Sequence, residues 1–299
     1  MMRSRRQFLA LGGATIASFR GATLSGSRSA VASTMREITT HLNGPVGLQL
    51  WSLREYLPKD LAGTLARARQ LGFREVEGAG LWGHTVAAMR AALDRAELRC
   101  RSAHIGFERL RDDPRGAFAE VKAVGAEWIV CPWIPHDKAF TRDDTLHAAD
   151  AFNRFAAAAR DAGLRFGYHC HGYEFVESSE GTLFDTLAGA TDPQQVLFQI
   201  DVFHALFGGA DPAQLIARHG KRVVSLHLKD LKKGFPITKG TAIAPPDADV
   251  PVGSGQVNMP AVLRAAMNAA TSVYYVEDES ADPWGHIPAS VAYLENVKF

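Results

Sequence analysis

The stretch of residues 196–227 decides the fold. Residues 196–201 (VLFQID) form a short apolar run that ends in an aspartate, and residues 223–227 (VVSLH) form a second run that ends in a histidine. Between them, Asp211, followed by a proline, opens a segment of helical periodicity that closes near Gly220. A strand, a helix and a second strand in this order predict a parallel pair of strands with a helical connection.

The same unit recurs along the chain. Short β-type runs alternate with alanine-rich segments of helical periodicity, and successive strands start 27 to 51 residues apart, which leaves room for a helix and a return loop. The predicted strands are Val46 to Leu50, Phe73 to Glu77, Cys100 to His104, Trp128 to Cys131, Arg165 to His169, Val196 to Asp201, Val223 to His227 and Tyr274 to Glu277. Eight such units favour a closed (β/α)8 TIM barrel, formed as a single domain by residues 45–299, over an open doubly wound sheet.

Charge and length limit the kind of ligand. The chain has 299 residues with 33 basic and 32 acidic side chains, a formal net charge of +1, and no long block of one sign. Binding to a phosphate backbone requires a basic surface, which this composition does not provide. A small neutral or modestly polar substrate fits better, and nucleic acid is not expected as a partner.

The N-terminus has the order of an export signal. Arg5 and Arg6 precede an apolar stretch from Phe8 to Phe19, and residues 30–32 (AVA) have the small-residue pattern of a signal-peptidase site. The apolar stretch is too short and too diluted for a membrane anchor. Paired arginines followed by Phe-Leu resemble the twin-arginine signal, with an ordinary secretory signal as the alternative. We therefore expect residues 1–33 to be a signal peptide and the protein to be periplasmic.

Polar side chains collect at the carboxyl ends of the predicted strands, which ring the mouth where barrel enzymes have their active sites. Strands five to eight end in HCH, DVFH, HLKD and EDE. Carboxylates are rarely buried unless they are paired or bound to a metal, so this concentration predicts a metal site. Mixed oxygen and imidazole ligands suit Mn²⁺, Co²⁺, Zn²⁺ or Mg²⁺. The candidate residues are Gln49, Trp51, Glu75, Glu77, His104, Trp133, His169, His171, Glu174, Asp201, His204, His227, Lys229, Asp230, Glu277 and Glu279.

Five short motifs follow one another at these strand ends. They are GLQLWSLR at residues 47–54, GYHCHGYEF at 167–175, DVFH at 201–204, LHLKD at 226–230 and VGSG at 252–255. In this order, and at these strands, they resemble the sugar phosphate isomerase/epimerase family of xylose-isomerase-like barrels. The resemblance extends from about Pro45 to the C-terminus.

The resemblance implies a ligand set for one divalent ion: an acidic residue on strand five, an aspartate on strand six, a histidine on strand seven and a glutamate on strand eight. Asp201, His227 and Glu277 match the last three. On strand five the usual glutamate position holds His169, and the nearest carboxylate is Glu174 beyond the strand. The expected fourth ligand is therefore Glu174, with His169 as the alternative.

The resemblance also implies a reaction, the isomerisation or epimerisation of a keto sugar. The ion would stabilise the enediolate that forms when a proton next to the carbonyl is removed. In family epimerases two glutamates on opposite faces of the substrate exchange this proton, which assigns Glu174 and Glu277 as the catalytic pair. Lys229 either contacts the substrate or forms a surface ion pair with Asp230. The residues expected to bind the substrate are Trp51, Glu77, His104, Trp133, His169, His171, His204 and Lys229.

Other functions stay open at this point. The same enediolate could expel a leaving group, which makes the protein a lyase or dehydratase of a 3-keto glycoside or inosose, and the altered strand five favours keeping this alternative. From another class, the barrel could be a non-catalytic periplasmic sugar-binding protein, although the cluster of Asp201, His227 and Glu277 argues against that. An endonuclease is disfavoured by the charge count.

Overall fold

The computed structural model of the protein describes residues 36–179, 181–241 and 243–299. The predicted signal peptide, residues 1–33, lies outside the described residues. Within the described ranges, no helix is both long enough and apolar enough to cross a membrane.

Eight parallel strands close into a barrel, in which each strand pairs with its neighbours along the chain. They are β1 (Val46–Gln49), β2 (Glu75–Gly78), β3 (Arg99–His104), β4 (Trp128–Cys131), β5 (Arg165–His169), β6 (Val196–Asp201), β7 (Val223–Leu228) and β8 (Val273–Val276). The predicted TIM barrel is confirmed. The largest difference is in β2, which begins at Glu75 rather than Phe73, because the chain is still turning at Gly72, with a φ of 106°, and joins the sheet only afterwards.

Helices surround the barrel. They are α1 (Leu61–Gln70), α2 (Val86–Arg95), α3 (Phe107–Asp112), α4 (Pro114–Ala123), α5 (Arg142–Asp161), α6 (Leu183–Ala190), α7 (Val202–Phe207), α8 (Pro212–His219), α9 (Met259–Met267) and α10 (Pro283–Asn296). The side chains of Asp60, Asp113 and Asp211 accept hydrogen bonds from the first free backbone N–H groups of α1, α4 and α8. Aspartate caps thus start these helices where the sequence predicts.

Alternation along the strands separates the apolar core from the polar lumen. On β5, Phe166 and Tyr168 point outward and pack on Phe152 of α5, with ring centroids 5.4 and 4.9 Å apart. Full burial of such side chains stabilises a fold by about 1.5–3 kcal/mol each. Gly167 and His169 consequently point into the barrel. This alternation decides which side chains reach the site.

The long connection between β7 and α9 is anchored at its base. Its two-residue strands Asp230–Leu231 and Asp249–Val250 pair antiparallel. The carboxylate of Asp230 accepts hydrogen bonds from the backbone N–H groups of Gly253, Gly255 and Val257 at 2.8, 3.0 and 3.0 Å. Asp230 therefore holds this loop and is not an ion-pair partner of Lys229 at the surface.

Candidate metal centre and substrate cavity

Glu77 lies in the lumen with no exposed surface and is fully hydrogen-bonded. Its carboxylate accepts hydrogen bonds from Gln49 Nε2 at 2.7 Å and Gln199 Nε2 at 2.9 Å, and from the hydroxyl of Ser102. Nε2 of His227 lies 2.6 Å from Glu77 Oε2. Burial alone would raise the pKa of Glu77, but the neighbouring histidines and these hydrogen bonds lower it well below its usual range. Glu77 is thus a stable, ionised group at the floor of the site.

His227 connects this floor to the mouth. Its Nε2 faces Glu77, and its Nδ1 lies 2.9 Å from Glu277 Oε2 and 3.9 Å from Asp201 Oδ2. Burial would lower the pKa of His227, but the two glutamates raise it to about 10. Without an ion, the imidazolium bridges two carboxylates. If Nδ1 gives up its proton, Glu77 still holds Nε2–H, and Nδ1 is free to bind a cation between Asp201 and Glu277.

Asp201, His227 and Glu277 form one group in which the potential ligand atoms all lie within 4.8 Å of one another. Asp201 Oδ1 accepts the backbone N–H of His204 at 2.8 Å and so caps α7. Asp201 Oδ2 is buried and, among the residues that the structure describes, has no hydrogen-bond partner. Burial raises the pKa of Asp201 to about 7. Because this unpaired oxygen lies beside the potential ligand atoms of His227 and Glu277, the three predicted residues fit a divalent ion.

A second group of potential ligands, also within 4.8 Å, consists of His104, His169 and His227. Gln199 orients the first two, since its Oε1 lies 2.9 Å from both His104 Nε2 and His169 Nδ1. With Nδ1 of His169 donating to this amide, its Nε2 keeps a free lone pair. His169 therefore occupies the strand-five position next to the other ligands.

Glu174 is not brought into either group. It lies in a short 3-10 helix (Tyr173–Phe175) after β5, and its Oε1 accepts hydrogen bonds from the Tyr168 hydroxyl and from the backbone N–H of His171, the latter at 2.9 Å. Burial raises the pKa of Glu174 to about 7. Because Tyr168 faces the helix layer, its partner Glu174 is held on that side. This placement argues against the expectation that Glu174 is a ligand and one of the two catalytic carboxylates, which stays a prediction, and it leaves His169 at the strand-five position.

Lys229 is also buried, with 1% of its side chain exposed. Its Nζ lies 2.9 Å from Glu279 Oε2 and 3.8 Å from oxygens of both Glu277 and Asp249. Burial would lower the pKa of Lys229, but these carboxylates raise it well above its usual range. Lys229 thus balances the acidic side of the mouth, with Glu279 rather than Asp230 as its nearest ion-pair partner.

A cavity of about 410 Å³ opens at the mouth, within the size range of small-molecule sites. Eight of the candidate residues line it: Trp51, His104, Trp133, His169, His171, His204, Glu277 and Glu279. Ala79, Gly80 and Pro132 complete the wall. Glu77, which the sequence predicts to bind the substrate, lies below the cavity lining and contacts His227. Asp201 and His227 also lie below this lining.

Two neutral imidazoles form part of the wall. The rings of His171 and His204 are 4.7 Å apart, and in the described part of the chain neither Nδ1 has a hydrogen-bond partner. Burial holds both pKa values well below the usual range. The neighbouring His204 lowers the pKa of His171 further, and Lys229 lowers that of His204 further. These nitrogens are therefore available to hydroxyl groups of a ligand.

Sequence reasoning missed Gln199 and Ser102. Gln199 is two residues before Asp201 on β6, so strand alternation already places it on the lumen side, and this signal could have found it. Ser102 has the same relation to His104 on β3. Both pair with Glu77, which the sequence does not reveal.

Comparisons with known proteins place the chain in a family. The profile of the xylose isomerase-like TIM barrels matches residues 65–297. An inosose dehydratase of Geobacillus kaustophilus (strain HTA426) is 28% identical over 191 residues, which are 56% of this chain and 61% of the relative. The alignment therefore spans less than two thirds of that relative.

Solved structures share the fold. A sugar phosphate isomerase/epimerase from Parabacteroides distasonis ATCC 8503 superposes with a TM-score of 0.71 at 22% identity, covering 89% of this chain and 99% of that chain. The IolI protein with a bound zinc atom has a TM-score of 0.66 at 15% identity, covering 83% and 94%. Since the family profile matches most of the chain, this protein belongs to the xylose isomerase-like TIM barrel family.

Proposed function

We propose that the protein is a divalent-metal-dependent lyase that eliminates a leaving group from a cyclic keto sugar. The convergence of Asp201, His227 and Glu277, with Asp201 Oδ2 buried and lacking a partner within the described ranges, carries the metal dependence. The zinc atom of the structurally similar IolI protein supports the same inference. Asp201, His227 and Glu277 would hold the ion, with His169 as the fourth ligand. When bound, the ion would acidify the C–H next to the substrate carbonyl and stabilise the negative charge that develops.

Glu277 is the residue we assign as the base. It lines the cavity, and although burial opposes ionisation, Lys229 and His227 lower the pKa of Glu277. It is thus ionised and able to accept a proton at neutral pH. His171 and His204 would hold hydroxyl groups of the sugar, while Trp133 would contact an apolar face of its ring.

The distribution of carboxylates favours elimination over epimerisation. Exchange of a proton between two faces requires a base on each side of the substrate, whereas Glu277 and Glu279 both belong to the β8 side of the cavity. On the opposite side the wall consists of Trp133, His169 and His171. A single carboxylate that takes the proton and returns it to the departing oxygen on the same face is sufficient for elimination. The 28% identity to an inosose dehydratase supports this choice.

An isomerase or epimerase is the second candidate. The observation that favours it is the position of His169, which lines the cavity from a different side of the barrel than Glu277 and keeps a lone pair on Nε2. In this case His169 would act as the second base in place of Glu174.

One experiment separates these functions. The purified protein is incubated with Mn²⁺ and either 3-keto glycosides or inososes, and products are analysed by mass spectrometry and NMR in ²H₂O. We expect loss of water or of the aglycone. A product with the elemental composition of the substrate, apart from one carbon-bound hydrogen replaced by deuterium, would instead establish isomerisation or epimerisation. Binding without turnover or metal would establish a sugar-binding protein.

We also propose that residues 1–33 direct export through the twin-arginine route to the periplasm. The Arg5-Arg6 pair before an apolar stretch supports this. Arg5→Lys combined with Arg6→Lys should leave precursor in the cytoplasm, as measured by fractionation, whereas unaffected secretion would point to another route.

A further inference from the structure

Trp51 and Trp82 form an aromatic pair on the rim of the cavity. Their ring centroids are 5.6 Å apart at an interplanar angle of 41°. Trp51 is 41% exposed, which makes it the one aromatic residue among the strongly exposed large apolar side chains of the described ranges. Trp51 also lines the cavity together with Ala79 and Gly80, and the half-buried Trp82 packs beside it.

The loop that carries Trp82 has an unusual backbone. Trp82 has a φ of 55°, between Gly80 at 91° and Gly83 at 81°. A bulky residue in the left-handed region is disfavoured and persists only where its surroundings hold it. His84 fixes the end of the loop, since its Nε2 lies 3.0 Å from the carbonyl oxygen of Leu57. The chain thus accepts an unfavourable conformation to keep an indole beside Trp51.

Trp51 is held as firmly as Trp82. The backbone N–H of Trp51 donates to Gln49 Oε1 at 3.1 Å. Arg54 lies 5.6 Å from the Trp51 ring. Its guanidinium donates to the carbonyl oxygens of Trp51 and Glu279 at 3.1 and 3.0 Å. The other tryptophan of the cavity differs. Trp133 is packed against the rings of His136, His171 and Tyr173, at 5.0, 5.1 and 4.8 Å, and so serves as an inner wall. Of the two tryptophans that line the cavity in the described part of the chain, Trp51 is the one with a strongly exposed ring.

We propose that Trp51 and Trp82 form a second, ring-binding subsite for the leaving group, so that the substrate is a keto glycoside with a second ring rather than a free monosaccharide. A rigid indole face binds the apolar face of a sugar or aryl ring while the polar groups of that ring stay in water. The substrate class rests on the proposed lyase function. The reacting ring occupies the cavity, and the ring attached through its anomeric oxygen lies against the pair.

The elimination separates the two rings and needs no redox partner. In a 3-keto glycoside the proton on C2, next to the carbonyl, passes to the carboxylate of Glu277. The electrons of that C–H bond form the C1=C2 double bond, and the C1–O bond breaks with its electron pair on the aglycone oxygen. That oxygen then takes a proton, and the aglycone departs from the Trp51–Trp82 surface.

The test measures binding without turnover. The Mn²⁺-loaded protein is titrated calorimetrically with methyl β-D-glucopyranoside as a one-ring probe, and with cellobiose and 4-nitrophenyl β-D-glucopyranoside as two-ring probes. We expect the two-ring probes to bind several-fold to about tenfold more tightly. Trp82→Ala should abolish this preference and leave the affinity for the methyl glycoside unchanged, and Trp82→Phe should retain part of the preference. The control is Ile237→Ala, which truncates an exposed apolar side chain outside the cavity lining and should retain the whole preference.

Equal affinity for one-ring and two-ring probes, no binding of either, or an equal loss for all probes in Trp82→Ala would overturn the subsite. Circular dichroism verifies the fold of each variant. Preference between cellobiose and the nitrophenyl glycoside distinguishes a sugar from an aryl leaving group. A ring preference that persists although no keto glycoside is eliminated would reject the lyase function and retain the subsite.

Discussion

Glu77 and Asp201 are carboxylates without exposed surface in the same barrel, but their surroundings are opposite. Glu77 accepts hydrogen bonds from three other side chains and faces His227, and its pKa is lowered. Asp201 has one oxygen engaged in a helix cap and another without a partner among the described residues, and its pKa is raised to about 7. A satisfied buried charge stabilises the architecture, whereas an unsatisfied one beside other potential ligand atoms indicates a position that a ligand completes.

The largest effect should come from removing the unsatisfied charge. Asp201→Asn keeps the cap oxygen of α7 but loses the anionic ligand, so we expect the affinity for Mn²⁺ to fall by more than about 100-fold, since changes around a ligand already cost about 10–100-fold. The metal-free protein should be at least as stable as the wild type, because a desolvated charge is removed. Calorimetric metal titration and urea unfolding measure the two quantities.

The control for this variant is Asp211→Asn. Asp211 caps α8 as Asp201 caps α7, but it is exposed and outside the two ligand groups. The Asp211→Asn variant should keep full metal affinity. Wild-type affinity in Asp201→Asn as well would refute the ligand assignment.

Removing the satisfied charge should affect both metal and fold. In Glu77→Gln the side-chain NH₂ faces a group that donates a hydrogen bond to Glu77 in the wild type. His227 thereby loses the acceptor that orients its ring. We expect metal affinity to fall by about 10–100-fold and the free energy of unfolding to fall by on the order of 3 kcal/mol. A variant with wild-type metal affinity would show that Glu77 does not orient His227.

Glu174 tests whether an unpaired oxygen alone marks an ion site, because its Oε2 also lacks a partner within the described ranges. Its folded pKa of about 7 lies above the ordinary value of 4.5, so its contribution to stability is fully present below pH 4.5 and is lost as the pH rises through 7. We expect wild-type stability to decline between pH 5 and pH 8.5 and Glu174→Gln to decline less, by on the order of 2 kcal/mol in urea unfolding. Metal affinity should not change. A loss of metal affinity would restore Glu174 as a ligand.

Asp230 should give the smallest effect. Its partners are backbone N–H groups of the loop that follows β7, and Asn retains one acceptor oxygen. We expect Asp230→Asn to lower stability by about 1 kcal/mol, to speed proteolysis within residues 232–255 and to leave metal affinity unchanged. Unchanged proteolysis would show that Asp230 does not anchor the loop.

Much of the site follows from local sequence. Strand periodicity predicts the eight strands to within a few residues, and the polar residues at the strand ends predict a metal site. The family resemblance implies Asp201, His227 and Glu277 as its ligands. The choice between Glu174 and His169 stays open in the sequence, because the chain after β5 turns into a short 3-10 helix whose direction depends on Tyr168 and on the helix layer behind it.

Hydrogen-bond satisfaction is the property that sequence could not supply. Glu77 pairs with His227 across 150 residues, and Ser102 pairs with Tyr275 across 173. Lys229 has a sequence neighbour of opposite charge in Asp230, but its nearest ion-pair partner is Glu279. Each of these pairs forms only when the barrel closes.

The sequence by itself determined the barrel and its mouth, because strand alternation and strand ends are local properties that repeat along the chain, and its resemblance to a family implied three potential ligands of one ion. Tertiary structure decided which buried carboxylate is complete and which needs a cation, on which side of β5 Glu174 lies, and that Trp82 stands beside Trp51. These outcomes depend on contacts between distant strands and loops, and the cost of burying a charge is settled only by the partners that the closed barrel brings to it.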